Sequence, residues 1–312
     1  MAKWLRQGKA KTSAHYNMCR VEKQQKFGVI AQESPDGSFK VTTLGTPQAS
    51  IARNPNCRYL YNIILRSEGV YSSGCCHLHF ITMTEEDTRP VFFFDIDNCL
   101  YSKNKNVHDH MSELIDDYFM KHLSLDRAEA YRLHQEYYTT YGLAIEGLVR
   151  NHEIDPLEYN EKVDDALPLE EILSPEPQLR KLLQSIDTTK VKLWLFTNAY
   201  VNHGKRVVKI LGVDDLFEGL TYCDYAGRPL ICKPAEEMFH KAMREAGVSD
   251  MNRCYFVDDS ALNCRESQRL GWTTVHLVEP SVTSPPQQVC KYQIANLEEL
   301  RGIFPQFFKE DN

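Results

Sequence analysis

From Pro90 onward the chain alternates short apolar runs with amphipathic stretches, and this alternation restricts the fold more than any other feature. "VFFFDID" (91–97), "KLWLFTN" (192–198), "RCYFVDD" (253–259) and "TTVHLVE" (273–279) are rich in aromatic and branched residues. The first three end on polar groups. Between them lie the helical patterns "VNHGKRVVKILG" (201–212), "PAEEMFHKAMREAG" (234–247) and "SALNCRESQRLG" (260–271), each closing on a glycine suited to a helix C′ position. Strands that are apolar throughout are those buried on both faces, as in a parallel sheet covered by helices. The expected fold is α/β, a doubly wound (Rossmann-like) parallel sheet whose sites lie beyond the carboxyl ends of its strands.

One interval breaks the pattern. Between Asp97 and Lys192 no good strand occurs, only helical text such as "HDHMSELIDDYFMKHL" and "DRAEAYRLHQEYYTTYG". Pro168, Pro175 and Pro177 mark the return path. Residues 105–180 are therefore expected to form an inserted helical cap, with 89–104 and 181–312 as the α/β core. A loop "EPSVTSPPQQ" (279–288), a short strand "KYQIA" and a helix around "NLEELRGIF" complete the core. Residues 1–88 are expected to be a poorly ordered extension, because "MAKWLRQGKAKTSAHYNMCRVEKQQKF" is basic and nearly free of acids and the following text is turn-rich. A targeting or interaction arm is the competing reading. Met83 opens "MTEEDTRPVFFFDID" just ahead of the first strand, which leaves a gene-prediction artefact open as well.

The net charge of −7 conceals an asymmetry: residues 1–82 carry +7, leaving −14 for the remainder. An acidic main body argues against a broad nucleic-acid surface. The ten cysteines include no Cys-x-x-Cys pair, and Cys75 and Cys76 are neighbours. Mostly free thiols in a reducing compartment follow, with the cytoplasm expected and the nucleus as a second location. No apolar run is long enough to cross a membrane, so no membrane partner is expected.

Chemistry concentrates at the strand ends: Asp95 and Asp97, Thr197 and Asn198, Asp258 and Asp259. Lys233 precedes a proline suited to a helix start. Asp95 and Asp97 share a face of an extended segment. At about 4 Å and an effective dielectric near 20, two such charges repel by roughly 4 kcal/mol. If the sheet is parallel, four carboxylates meet at one rim and require a cation. Oxygen donors without a His or Cys cluster suit Mg²⁺. A Mg²⁺-charged rim with a lysine and a hydroxyl is suited to phosphate oxygens.

Order and spacing resemble the haloacid dehalogenase superfamily, particularly its phosphatases. "DIDNC" (95–99) matches the first motif, "LWLFTN" the second at Thr197, Lys233 the third, and Asp258–Asp259 in "YFVDDSALN" the acidic fourth. The resemblance covers roughly residues 89–312, and the insertion corresponds to that family's C1-type cap. It implies Asp95 as nucleophile and Asp97 as general acid and then base. It also implies Mg²⁺ held by Asp95, the Asp97 carbonyl and Asp258, with Asp259 ligating through water or orienting a ligand. Thr197, Asn198 through its backbone, and Lys233 would bind phosphate oxygens. An acid at Asp97 favours phosphoester hydrolysis over dehalogenation. Cys99 departs from the usual Thr or Val. It reads as a small apolar filler of a turn, with a redox-sensitive thiol as the alternative. His203 reads as decoration of a helix start, with a substrate contact as the alternative.

Within the superfamily, "FFFDIDNCLY", "EYYTTYGLAIEGLV", "VDDALPLEEILSPEPQLRKLL" and "VDDSALN" look like the fungal pyrimidine 5′-nucleotidase group. The implied substrate is a small phosphomonoester, a nucleoside monophosphate with UMP or CMP first. Lysophosphatidate, sugar-phosphate hydrolysis and phosphomutase chemistry are the alternatives, and a catalytically silent binding protein is the non-enzyme alternative. Tyr137, Tyr138 and Tyr141 would face the site from the cap, where rings could stack on a base or pack the cap itself. Asp164, Asp165 and Arg150 are further candidates for base or sugar contacts.

Overall fold

The structure, a computed structural model, describes residues 28–33, 39–44, 87–280 and 287–310. The chain divides into two units, Met1–Met83 and Thr84–Asn312. In the first, β1 (Gly28–Glu33) pairs antiparallel with β2 (Phe39–Leu44), from Gly28 opposite Leu44 to Glu33 opposite Phe39. The sequence reading placed no strand there, and apart from Asp87 and Thr88 the rest of the expected extension lies outside the described residues.

The second unit is organised around "VFFF". β3 (Val91–Phe94) is buried at every position and pairs in parallel on both sides, with β4 (Lys192–Phe196) and β6 (Cys254–Asp258). Phe92 and Phe94 enter one apolar cluster and Val91 and Phe93 the other, as the two-residue period of a strand requires. Burial on both faces explains why the run shows no polar alternation. β5 (Gly219–Thr221), β7 (Thr273–Leu277) and β8 (Tyr292–Ile294) complete a six-stranded parallel sheet in the order β5-β4-β3-β6-β7-β8. The chain winds outward from β3 to β5, then returns to the centre for β6 and winds the other way. Its switch point therefore falls between β3 and β6, where doubly wound folds open a crevice.

The expected core helices are present as α7 (Val201–Leu211), α8 (Glu236–Ala246) and α9 (Ala261–Arg269), once the insertion's helices are counted as α1 to α6. α7 and α8 end at Gly212 and Gly247 with φ of 72° and 71°, the left-handed cap that favours glycine. Phe93 of β3 stacks on Trp272 with ring centroids 4.7 Å apart, and Phe239 of α8 meets the same indole edge-on.

The insertion between β3 and β4 is the helical, C1-type cap. It holds α1 (Val107–Leu123), α2 (Arg127–Tyr141), α3 (Ala144–Asn151), α4 (Pro156–Lys162), α5 (Leu169–Ile172) and α6 (Pro177–Ser185). Asp126 and Glu129 form a reciprocal capping box that starts α2. Phe119, Tyr137, Leu148 and Tyr159 share the apolar cluster of Phe93 and α8. Leu169, Leu182 and Leu183 belong instead to the cluster on the opposite face of the sheet. α2 ends at Gly142 (φ 86°), where an added Cβ would lie 2.5 Å from the Lys233 carbonyl oxygen and from Pro234 Cδ. The cap thus rests directly on the lysine loop of the core. Among the described residues no helix is long and apolar enough to cross a membrane.

Candidate active site

β3 and β6 are adjacent, so their carboxyl ends deliver Asp95 and Asp258 side by side. The Asp95 amide donates to the Val257 carbonyl at 3.0 Å, extending the ladder by one rung before the chain turns away. Lys233, in the connection between β5 and α8, lies only 1% exposed beneath both acids. Its Nζ donates to Asp95 Oδ1, Asp258 Oδ2 and the Phe196 carbonyl, each at 2.7 Å. All three ammonium protons are thereby used. The rings of Phe196 and Phe256 lie 4.8 and 5.2 Å from the same nitrogen, adding cation–π attraction in a dry setting.

The neighbours hold this clamp in register. Asn198 donates from Nδ2 to the Lys233 carbonyl at 2.8 Å and accepts the Lys233 amide on Oδ1 at 2.6 Å. Thr197 is buried, and its Oγ1 accepts from the Ala199 amide at 3.0 Å. Asp258 also accepts from the Ser260 amide at 2.7 Å and from Asn263 Nδ2 at 3.2 and 3.1 Å.

Three carboxylates converge here. One oxygen from each of Asp95, Asp258 and Asp259 lies within 4.8 Å of the others. Burial pushes the Asp95 carboxyl well above its usual range; Lys233 opposes this, and the neighbouring acids add to it. Burial and Asp258 push Asp259 up to about 7. Lys233 is held above its ordinary value, since Asp258 and Asp95 outweigh its burial. Lys103, 3.7 Å from Asp259, is the other nearby cation. The cluster is short of positive charge, and its donors are all oxygen, which fits a hard divalent cation.

Asp97 stands apart from this cluster. Its Oδ1 accepts from Tyr101 Oη and from His203 Nε2, both at 2.7 Å. Burial raises this carboxyl, but the His203 charge and these two hydrogen bonds prevail and lower it. His203 sits in the first turn of α7 but is fully buried, and its ring is bound to Asp97 rather than open to solvent. Nothing local in the sequence signals this pairing, which spans 106 positions. Cys99 is also buried, with Sγ 3.8 Å from the Val257 carbonyl, and burial followed by the carboxylates pushes its thiol far up. The residue packs in the apolar cluster that holds Phe92, Phe94 and Ile96.

The rim opens into a cavity of about 180 Å³ lined on the core side by Asp95, Asp97, Thr197, Asn198, Lys233 and Asp259. The opposite wall includes His108, His134, Tyr138 and Asp164. Tyr138 is 39% exposed there. Tyr137 and Tyr141 do not line the cavity: Tyr137 is buried with its hydroxyl 2.8 Å from His152 Nε2, and Tyr141 lies under the Arg150 guanidinium at 5.3 Å. Tyr137 and Tyr141 lie one turn apart and meet ring to ring at 5.9 Å, packing within the cap. Asp164 lines the cavity, buried, with Oδ2 lacking a partner among the described residues, and burial raises it to about 6. Asp165 is engaged by Asn160 at 2.8 Å, and Arg150 by Glu146 at 2.5 Å; neither reaches the cavity.

Residues 90–265 match the haloacid dehalogenase-like hydrolases. The chain is 44% identical over 204 residues to Phosphate metabolism protein 8 of Saccharomyces cerevisiae, covering 62% of this chain and 63% of that relative. It thus spans less than two thirds of that relative's length. Similar solved structures include CbbY from Rhodobacter sphaeroides in complex with phosphate (17% identity, TM-score 0.49, 68% of this chain and 96% of that one). A HAD phosphatase from Thermococcus onnurineus is 18% identical, with TM-score 0.48 and coverage of 69% and 97%.

Proposed function

We propose that this chain, which belongs to the haloacid dehalogenase-like hydrolases, is a Mg²⁺-dependent phosphomonoesterase acting through an aspartyl-phosphate, with pyrimidine nucleoside 5′-monophosphates as substrates. The observation that carries this reading is the Lys233 clamp across Asp95 and Asp258, with Asp259 alongside, opening into the cavity under the cap. Asp95 Oδ1 is taken by Lys233, so Oδ2 is the oxygen that attacks phosphorus. As the ester P–O bond breaks, its electron pair goes to the leaving oxygen, which takes a proton from Asp97. Asp97 then removes a proton from water, whose attack frees phosphate and restores Asp95. The dianion of the substrate raises Asp97 as any like charge does, against the pull of His203.

Thr197 and the Asn198 amide would bind non-bridging oxygens, and Lys233 would offset their charge. Asp95, the Asp97 carbonyl, Asp258 and Asp259 would hold Mg²⁺, which supplies charge neutralisation to the transferring phosphoryl group. The nucleoside assignment is supported by the Tyr138 ring and the unpartnered acceptor of Asp164 at the cap wall. A nucleobase can stack on the first, and a ribose hydroxyl or an exocyclic amine can donate to the second.

A panel of phosphomonoesters with and without Mg²⁺ tests this. Phosphate release from UMP or CMP that disappears on chelation is expected, and Asp95→Asn should abolish it with the fold intact. Release only from lysophosphatidate or sugar phosphates would overturn the substrate and keep the chemistry. No release from any monoester by folded protein would overturn both.

A further inference from the structure

A carboxylate that gives up a proton needs one oxygen aimed at the leaving group, and a lone aspartate does not hold that aim. Its terminal torsion is broad and two-fold. At Asp97 one oxygen is already anchored. Oδ1 accepts from His203 Nε2 and Tyr101 Oη at 2.7 Å each, and among the described residues nothing bonds to Oδ2. The side chain is 28% exposed and lines the cavity beside Asp95. His203 comes from the first turn of α7 and is itself wholly buried, so it has little freedom to move. The next residue, Gly204, confirms how closely that turn approaches: an added Cβ would lie 3.2 Å from Ile96, the residue between the two aspartates.

We propose that His203 is a positioning residue for the general acid. By donating Nε2–H to Oδ1, with Tyr101 donating to the same atom, it leaves Oδ2 as the face of Asp97 presented to the leaving oxygen. The inference rests on the phosphomonoesterase reading. It has a signature that plain structural support lacks, because the need for an acid depends on the leaving group. When the ester bond of an alkyl phosphate breaks, the alkoxide must take the Asp97 proton. A p-nitrophenolate departs as a stable anion without one. Loss of aim therefore damages alkyl esters selectively in the first half-reaction.

The test is rapid-quench measurement of that first step for His203→Ala, His203→Gln and Tyr101→Phe against the unaltered protein, using UMP and p-nitrophenyl phosphate in the presence of Mg²⁺. For His203→Ala a fall of about 100-fold with UMP is expected, the scale of lost general acid catalysis. A fall below about 5-fold is expected with the aryl ester, and KM should change little for either. His203→Gln, whose amide can donate from the position of Nε2, should recover much of the UMP rate. Tyr101→Phe, losing one donor of two, should show the same selectivity at about 10-fold. If His203→Ala does not fold, the other two variants decide by the same selectivity. Equal losses on both esters, or no loss on UMP, overturn the role of His203. An unaltered protein that attacks neither ester nor any other phosphomonoester of the panel overturns the hydrolase reading, and this inference with it.

Discussion

The carboxylate rim of the sheet and the inner wall of the cap face one cavity and are built on opposite plans. At the rim, Asp95, Lys233 and Asp258 are buried, and every ammonium proton of the lysine is spoken for. The two aspartates stand at the ends of adjacent strands whose ladder sets them side by side, and the lysine loop is tied to the sheet by Asn198. On the cap wall, Tyr138 is partly open to solvent and Asp164 Oδ2 has no partner among the described residues. The rim's lysine is satisfied from within and its surplus of carboxylates calls for a cation, whereas the wall keeps unfilled hydrogen-bonding capacity. On the proposed reading, reaction chemistry falls to the densely bonded rim and recognition to the more open wall.

Removing the rim's cation should break this contrast most severely. Lys233→Met leaves Asp95 and Asp258 buried without their partner, and a loss of about 3–5 kcal/mol is expected by denaturant titration, with turnover abolished. Asp164→Asn should show the opposite sign. Burial holds Asp164 at about 6 against its ordinary 3.8, so between those values the folded chain carries the extra proton and stability falls as pH rises. Above pH 6 the deficit is on the order of 3 kcal/mol. The variant should melt higher than the unaltered protein, by a margin that grows between pH 4 and 6 and then levels off. A constant margin would show that Asp164 is not the group responsible.

Gly142→Ala probes the seam between the two regions. The left-handed φ and a Cβ 2.5 Å from Lys233 backbone predict a loss of about 2 kcal/mol. Turnover should suffer too, because what must shift is the lysine loop. Unchanged kinetics would mean that the cap moves instead. Tyr138→Ala should be mildest: stability within about 0.5 kcal/mol for a partly exposed side chain, with KM for UMP raised several-fold and p-nitrophenyl phosphate turnover little changed. Equal effects on both substrates would remove Tyr138 from base recognition.

What could be read in advance follows the same division. β3, β4, β6 and β7 were legible because strands buried on both faces leave continuous apolar runs, and their polar ends marked the rim. β5 escaped notice. It has three residues, and its Gly219 is there because the Trp194 ring occupies the space a side chain would need, 2.1 Å from an added Cβ. The hairpin of β1 and β2 lay in turn-rich text without sustained alternation. His203 was illegible as a partner of Asp97, since a contact across 106 positions leaves no local periodicity, and Tyr101, only four positions away, follows a turn whose path no repeat announces. The same holds for Gly142 and its contact with Lys233. The three cap tyrosines show the limit from the other side: the resemblance allowed them either to face the site or to pack the cap, and of the three only Tyr138 lines the cavity, while Tyr137 and Tyr141 are engaged within the cap.

Asn198 has a consequence of its own. A side-chain amide that both donates to and accepts from the backbone of one residue reproduces the exchange made by paired residues in a β-ladder. In effect β4 gains a further rung after its backbone has left the sheet, and the residue on the other side of that rung is Lys233. The lysine belongs to a loop, yet its place is measured off against the sheet as a strand residue's would be. Loss of that registration at Asn198 would leave the Lys233 backbone without the two bonds that tie it to the sheet.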